Sequence, residues 1–209
     1  MRNETGYIKY LTDDEFKKIK QFVNKLQSPS MRMCIKIMMY LGLRVGESIR
    51  LKRNNFNQNF SLLTYVMQKS KKVKERIVPE SLRKELAKYY QTWHHRCIDG
   101  YLFFPSYRNQ SKNKHLQRNS IGLKFRDLRK TLDLDYSYYT SKNGQKFHRL
   151  SPHTLRHYAI WKYYQASGNC LITARDMIGH SKIETTAKYI RSVEFITNEK
   201  EIIEKAFTD

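Results

Sequence analysis

What the chain has little of narrows its possibilities first. No apolar run approaches the ~18 residues that cross a bilayer, and the longest apolar cluster, Met38 to Leu43, is a core fragment. The start, Met1-Arg2-Asn3-Glu4, has no apolar segment of signal-peptide type. Cysteine is scarce: Cys34, Cys97 and Cys170 are odd in number and far apart, which gives neither a disulfide framework nor a metal-type spacing. A reducing cytosol is the natural setting. Internal repeats and low-complexity tracts are absent. Acidic residues are few: 19 Asp+Glu stand against 40 Lys+Arg, for a net charge of +21 over 209 residues. Such an excess repels itself in a compact chain and implies a polyanionic partner. An anionic membrane favours charge gathered on one amphipathic helix. Here it is spread along the whole chain, as a double-stranded nucleic acid wrapped by the protein requires.

What is present reads as mainly α with a small antiparallel β-sheet, an α+β chain whose 40% hydrophobic content suffices for a sizeable core. Thr12-Asp13-Asp14-Glu15 is a capping box and predicts a helix to about Leu26, with Phe16, Ile19, Phe22, Val23 and Leu26 on one face. Ser28-Pro29-Ser30 breaks it, and a second helix, about Ser30 to Tyr40, is apolar nearly all round and therefore buried. Leu62 to Gln68 and the stretch around Arg76-Ile77-Val78 predict a β-hairpin whose tip carries Lys69, Lys71, Lys72 and Lys74. Helices follow over about 79–92 and 119–132, separated by a polar, basic loop from Tyr107 to Arg118 that faces the polyanion. Residues 133–149, with Asn143-Gly144, predict a small β-excursion. Pro152 opens a helix to about Ala166. Further helices cover about Leu171 to Ile178, a stretch from near Ile183 that carries Tyr189, and Ile196 to Phe207.

Several residues carry chemistry. Arg44 lies in the apolar Leu41-Gly42-Leu43-Arg44-Val45-Gly46-Glu47 run. One reading pairs it with Glu47, one helical turn on; the other gives it a functional role, because an arginine in such a setting is costly without partners. The hairpin lysines are either a solvated turn that blocks aggregation or a finger that enters a groove. His153, Arg156 and His157 share one helix face. Histidines at that spacing can bind zinc, but the metalloprotease form needs a glutamate where Thr154 stands, and Arg156 repels a cation. His94-His95-Arg96-Cys97 looks metal-like, yet adjacent helical residues do not converge. Phosphate chemistry suits the set better. Guanidinium groups match the non-bridging oxygens of a phosphodiester, imidazoles donate to them or move protons, and a tyrosine hydroxyl can attack phosphorus and hold the strand end covalently. No metal and no cofactor is required.

Taken together, these residues resemble the tyrosine recombinases, or phage-type integrases. Leu41-Gly42-Leu43-Arg44-Val45-Gly46-Glu47-Ser48 resembles the family's first-arginine box, with Glu47 in the acidic place. Lys71 falls where the family carries its hairpin lysine, ahead of Lys74-Glu75-Arg76-Ile77-Val78-Pro79. His153-Thr154-Leu155-Arg156-His157 is similar to the histidine-x-x-arginine box, Ile178-Gly179-His180-Ser181 to the second-histidine box, and Thr185-Thr186-Ala187-Lys188-Tyr189 to the nucleophile box. Each box is weak alone; five in order, correctly spaced, are specific.

The resemblance implies a catalytic domain, residues 1–209, that cleaves and rejoins double-stranded DNA through a 3′-phosphotyrosyl link. Tyr189 is then the nucleophile, Arg44 and Arg156 hold the phosphate oxygens with His180, Lys71 is the general acid and His153 accepts the tyrosine's proton. Glu47 and His157 support the site, while Lys69, Lys72, Lys74 and Arg76 contact DNA. It also implies a tetramer on DNA that is monomeric when free, with the helix at about 196–207 docking on a neighbouring subunit or on its own domain. Two features depart from the family. Its glycines around the hairpin lysine are replaced by Ser70-Lys71-Lys72, which keeps Lys69 and Lys72 open as alternatives for the acid, and its usual N-terminal clamp domain is absent. Type IB topoisomerase-like activity and a non-catalytic DNA-binding module are the rival readings.

Overall fold

The computed structural model describes residues 11–68, 70–106, 113–135, 137–140, 144, 146–148, 150–178 and 182–194, with the backbone alone for 137–139, 146–147, 188–189 and 191–194. Helix α1 (Asp13–Asn24) starts at the capping box: Thr12 Oγ1 accepts from the Glu15 N–H and the Glu15 carboxylate accepts from the Thr12 N–H. Helix α2 (Pro29–Leu41) starts at Ser28, with Pro29 in its first turn. The expected start was Ser30; Pro29 opens the helix instead of breaking the chain, because its missing N–H is one that a first turn leaves unbonded anyway. Ten of the thirteen α2 residues are buried. Each large aliphatic side chain so placed contributes roughly 1.5–3 kcal/mol, and α2 accordingly packs against α1, against α4 (Glu80–Trp93) and against α6 (Pro152–Ala166). Lys36, buried on α2, pairs with Glu85 of α4.

Gly42 ends α2 in the left-handed region at φ +61°. A Cβ there would lie 3.1 Å from Ile178 Cδ1 and 3.3 Å from Ala159 Cβ, so glycine is needed for the turn and for the close approach of two later helices. The short α3 (Val45–Ser48) follows. Strands β1 (Leu62–Val66) and β2 (Val73–Ile77) pair antiparallel, Leu62 opposite Ile77 and Val66 opposite Val73. Helix α5 (Arg118–Thr131) buries Ile121, Phe125 and Leu128. Strands β3 (Ser137–Thr140) and β4 (Lys146–His148) form the expected excursion as a second antiparallel pair. It is tied back to α5 where Arg129 Nε donates to Asp135 and His148 Nδ1 lies 3.0 Å from the same carboxylate. Helices α7 (Leu171–Ile178) and α8 (Ile183–Glu194) complete the chain's described part, both packed on α6. The expected helix over 196–207 lies outside the described residues. Among the described residues no helix is long and apolar enough to cross a membrane.

Candidate active site

Arg44 stands at the head of α3, where an N-cap ordinarily offers a side-chain acceptor. The acceptor comes from Glu47 instead: its Oε2 takes the Arg44 N–H at 2.9 Å and its Oε1 takes Arg44 Nη1 at 3.1 Å. The same Oε1 accepts the N–H of Gln68, beyond the end of β1, at 3.3 Å. The Glu47 side chain is 1% exposed and that of Arg44 is 26% exposed. One buried carboxylate therefore fixes the guanidinium and fastens the hairpin to α3. The ion-pair reading and the functional reading of Arg44 are thus compatible: the pair aims the arginine.

Helix α6 supplies the next groups. Ser151 caps it through Thr154, whose Oγ1 accepts the Ser151 N–H at 3.1 Å. This sets the first turn so that exposed His153 lines a cleft of about 380 Å³ together with Arg44, Gln68, Arg118 and Ser151. His157 is half-buried, its ring centroid 5.3 Å from that of His153. Among the described residues these histidines belong to no His, Cys, Asp and Glu group suited to a metal. A larger cleft of about 570 Å³ lies between α2 and α4, lined by Arg32, Lys36, Glu85 and Lys88, and holds none of the expected site residues.

Arg156 is not among the residues that line the cleft of Arg44 and His153. It is 1% exposed, and its guanidinium donates to the carbonyl of Gly42, at the end of α2, and to that of Ile178, at the end of α7, the latter at 3.5 Å. Two helix C-termini, each a concentration of negative dipole, thus meet one cation. That arrangement offsets the desolvation of a charge so deeply placed.

On the hairpin, Lys71 is exposed and itself occupies the left-handed region at φ +57°, its N–H bonded to the Met67 carbonyl at 2.9 Å. The tip therefore needs at residue 71 the conformation glycine adopts most easily. Lys72 is exposed and Lys74 half-buried. Arg76, expected to contact DNA, is only 8% exposed, because the alternation of β2 turns Lys74 and Arg76 inward and Val73, Glu75 and Ile77 outward. Its Nη1 donates to the Glu75 carbonyl and its guanidinium lies 5.9 Å from the Tyr65 ring. Lys69 and His180 lie outside the described residues. The backbone of Tyr189 is on α8, and its side chain is likewise outside the description.

Tyr65 was not among the expected site residues. Burial pushes its phenol above the ordinary range; the charges of Arg76, Arg156 and Arg44 pull against that and Glu47 adds to it. Its inward place in the β1 alternation was visible, but nothing in the sequence said that four charged groups would gather round it. Gln68 and Arg118 were likewise unmarked as cleft residues.

Comparison with known proteins gives the family of the chain. A profile of the phage integrase family matches residues 9–194. The tyrosine recombinase XerD of Rhizobium meliloti is 28% identical over 166 residues, covering 78% of this chain and 48% of that protein. This chain spans 42% to 61% of the length of the curated relatives it matches. Among solved structures, the XerH site-specific recombinase bound to palindromic difH substrate in a post-cleavage complex superposes with a TM-score of 0.68 at 18% identity, covering 90% of this chain and 51% of that one. The catalytic domain of bacteriophage HP1 integrase gives a TM-score of 0.59 at 18% identity and 89% coverage of both chains. With the match running over nearly its whole length, the chain belongs to the phage integrase family.

Proposed function

We propose that residues 1–209 are the catalytic domain of a site-specific tyrosine recombinase, an integrase that cuts and rejoins double-stranded DNA. The observation that carries this reading is the convergence of Arg44 and His153 on one cleft, backed by buried Arg156, in a member of this family. The Tyr189 hydroxyl oxygen attacks the scissile phosphorus and gives its proton to His153. The bond to the 5′ oxygen breaks, and that oxygen takes a proton from Lys71, whose exposed place at the hairpin tip suits delivery into a groove. Arg44, held by Glu47, makes the first grip on the non-bridging oxygens, assisted by His180. Arg156, whose guanidinium is held by the carbonyls of Gly42 and Ile178, adds its positive charge to that grip. The freed 5′ hydroxyl of a partner strand then attacks the phosphotyrosyl phosphorus and releases Tyr189. The energy of the broken phosphodiester is kept in that link, so the chemistry needs neither metal nor nucleotide.

Relatives described as tyrosine recombinases and the DNA-bound recombinase of like fold support duplex DNA as substrate and partner. A monomer free in the host cytoplasm that assembles as a tetramer on DNA fits the same reading. It is tested with a library of nicked duplexes of varied sequence, incubated in EDTA with wild type, Tyr189→Phe and Lys71→Ala and resolved on denaturing gels. A protein–DNA adduct is expected for wild type, none for Tyr189→Phe, and slower formation for Lys71→Ala. Adduct in Tyr189→Phe would remove the nucleophile from the mechanism, and tight binding without any adduct would favour a DNA-binding module.

A further inference from the structure

The cleft that holds Arg44 and His153 contains another cation that none of the five family boxes includes. Arg118, the first residue of α5, is exposed and lines the same cleft. Arg44 shares its charge with Glu47, whereas among the described residues no carboxylate stands within ion-pair distance of Arg118. Its guanidinium is nevertheless placed. A Cβ at Gly46 would lie 2.7 Å from Arg118 Nη2 and 2.3 Å from Gln68 Oε1. Gly46 lies inside α3, where glycine is a poorer helix former than alanine. Its missing side chain is the space in which the two polar tips rest against the helix that begins at Arg44. Gln68 is itself anchored through its N–H to Glu47. Hairpin, α3 and α5 thus bring a second guanidinium, without a carboxylate partner among the described residues, to the cleft.

We propose that Arg118 is a positioning residue for the DNA backbone: it grips the phosphate next to the one held by Arg44 and so sets which phosphate enters the cleft. A planar guanidinium suits two phosphate oxygens at once, and backbone contacts of this kind fix register without reading sequence. The inference rests on the recombinase reading above and deepens it.

The test compares the full chain with Arg118→Gln and Arg118→Lys. Binding to a random-sequence duplex is followed across a salt series, since each neutralised phosphate adds about 0.9 to the steepness of the log–log salt dependence. Arg118→Gln is expected to lose about that amount and Arg118→Lys to keep it. On a nicked duplex that yields adduct with wild type, Arg118→Gln at saturating DNA is expected to react about tenfold or more slowly and to attach at neighbouring phosphates as well, with Arg118→Lys restoring the single position. Melting temperature checks that both variants fold. Wild-type salt dependence together with wild-type rate and position in Arg118→Gln would overturn the inference while leaving the recombinase reading intact. A changed salt dependence with unchanged rate and position would reduce Arg118 to a plain backbone contact and overturn it equally. Absence of adduct from wild type across the whole library would overturn both readings.

Discussion

At the scale of single residues, Glu47 bears the heaviest demand in the described part of the cleft. It receives three hydrogen bonds, from the Arg44 N–H, the Arg44 side chain and the Gln68 N–H, and it is nearly without solvent. Glu47→Gln keeps the shape and removes the charge. Losing one charge-assisted bond of this kind costs roughly 1–3 kcal/mol, which chemical denaturation measures. The larger expected effect is on the rate of adduct formation, because Arg44 loses the partner that aims it. A variant with wild-type rate and lowered stability would make Glu47 a structural residue only. This scale is also where the sequence was least legible. The order of the boxes marked Arg44, Glu47 and His153, and Arg76 was expected to contact DNA. Strand alternation overrode charge, and Arg76 lies against Tyr65. Arg118 sat at the end of a basic loop, and its neighbours in the cleft come from segments far away in sequence.

At the scale of elements, local signals worked where local physics decides. The Thr12 capping box and the Pro152 start fall where side-chain and backbone hydrogen bonding are settled within a turn. Strand β1 stops at Val66, before the expected Gln68, whereas β2 starts at Val73, ahead of the expected Glu75, so Lys74 pairs with Tyr65 in the ladder and does not sit at the tip. Helix α3 was not anticipated as a helix, since four residues leave no periodicity to read. One element contact has a pH signature. Asp13, at the start of α1, accepts from Lys162 Nζ at 2.9 Å and from the Tyr158 hydroxyl at 2.7 Å, both on α6. The bond from Lys162 is the main cause holding its carboxyl below the usual aspartate range, with Tyr158 adding to it. A depressed carboxylate stabilises the fold above its unfolded pKa, and that share is lost as pH falls through the lower folded value. The carboxylate is well over half exposed, so solvent screening limits the effect to about 0.5 kcal/mol. Acid unfolding below about pH 4 is expected to begin at slightly higher pH than it would without this loss. Asp13→Asn should be less stable than wild type at pH 7 and converge with it as the pH falls towards 2. A constant gap between the two across an acid titration would contradict the assignment.

For the whole molecule, a net charge of +21 makes salt act in two directions. In the free chain, ions screen self-repulsion; on duplex DNA, they compete with the protein for phosphates. Raising salt from about 50 to about 200 mM is therefore expected to raise the melting temperature of the free protein. Over the same range binding to duplex should weaken by about a thousandfold or more if six or more phosphates are contacted. Calorimetry and anisotropy on one preparation check both signs, and a melting temperature that fell with salt would mean that the charges are already paired within the fold.

The bond from Arg156 to Gly42 spans 114 residues of sequence, and it joins the last third of the chain to the first quarter. Closing so long a loop costs entropy that only the finished packing of α2, α6 and α7 returns. During synthesis the ribosome therefore releases Arg44 and the lysine hairpin well before their counterpart exists. A growing polypeptide can hold DNA by charge alone, but the joint that Arg156 makes with Gly42 and Ile178 forms only once α7 has been translated.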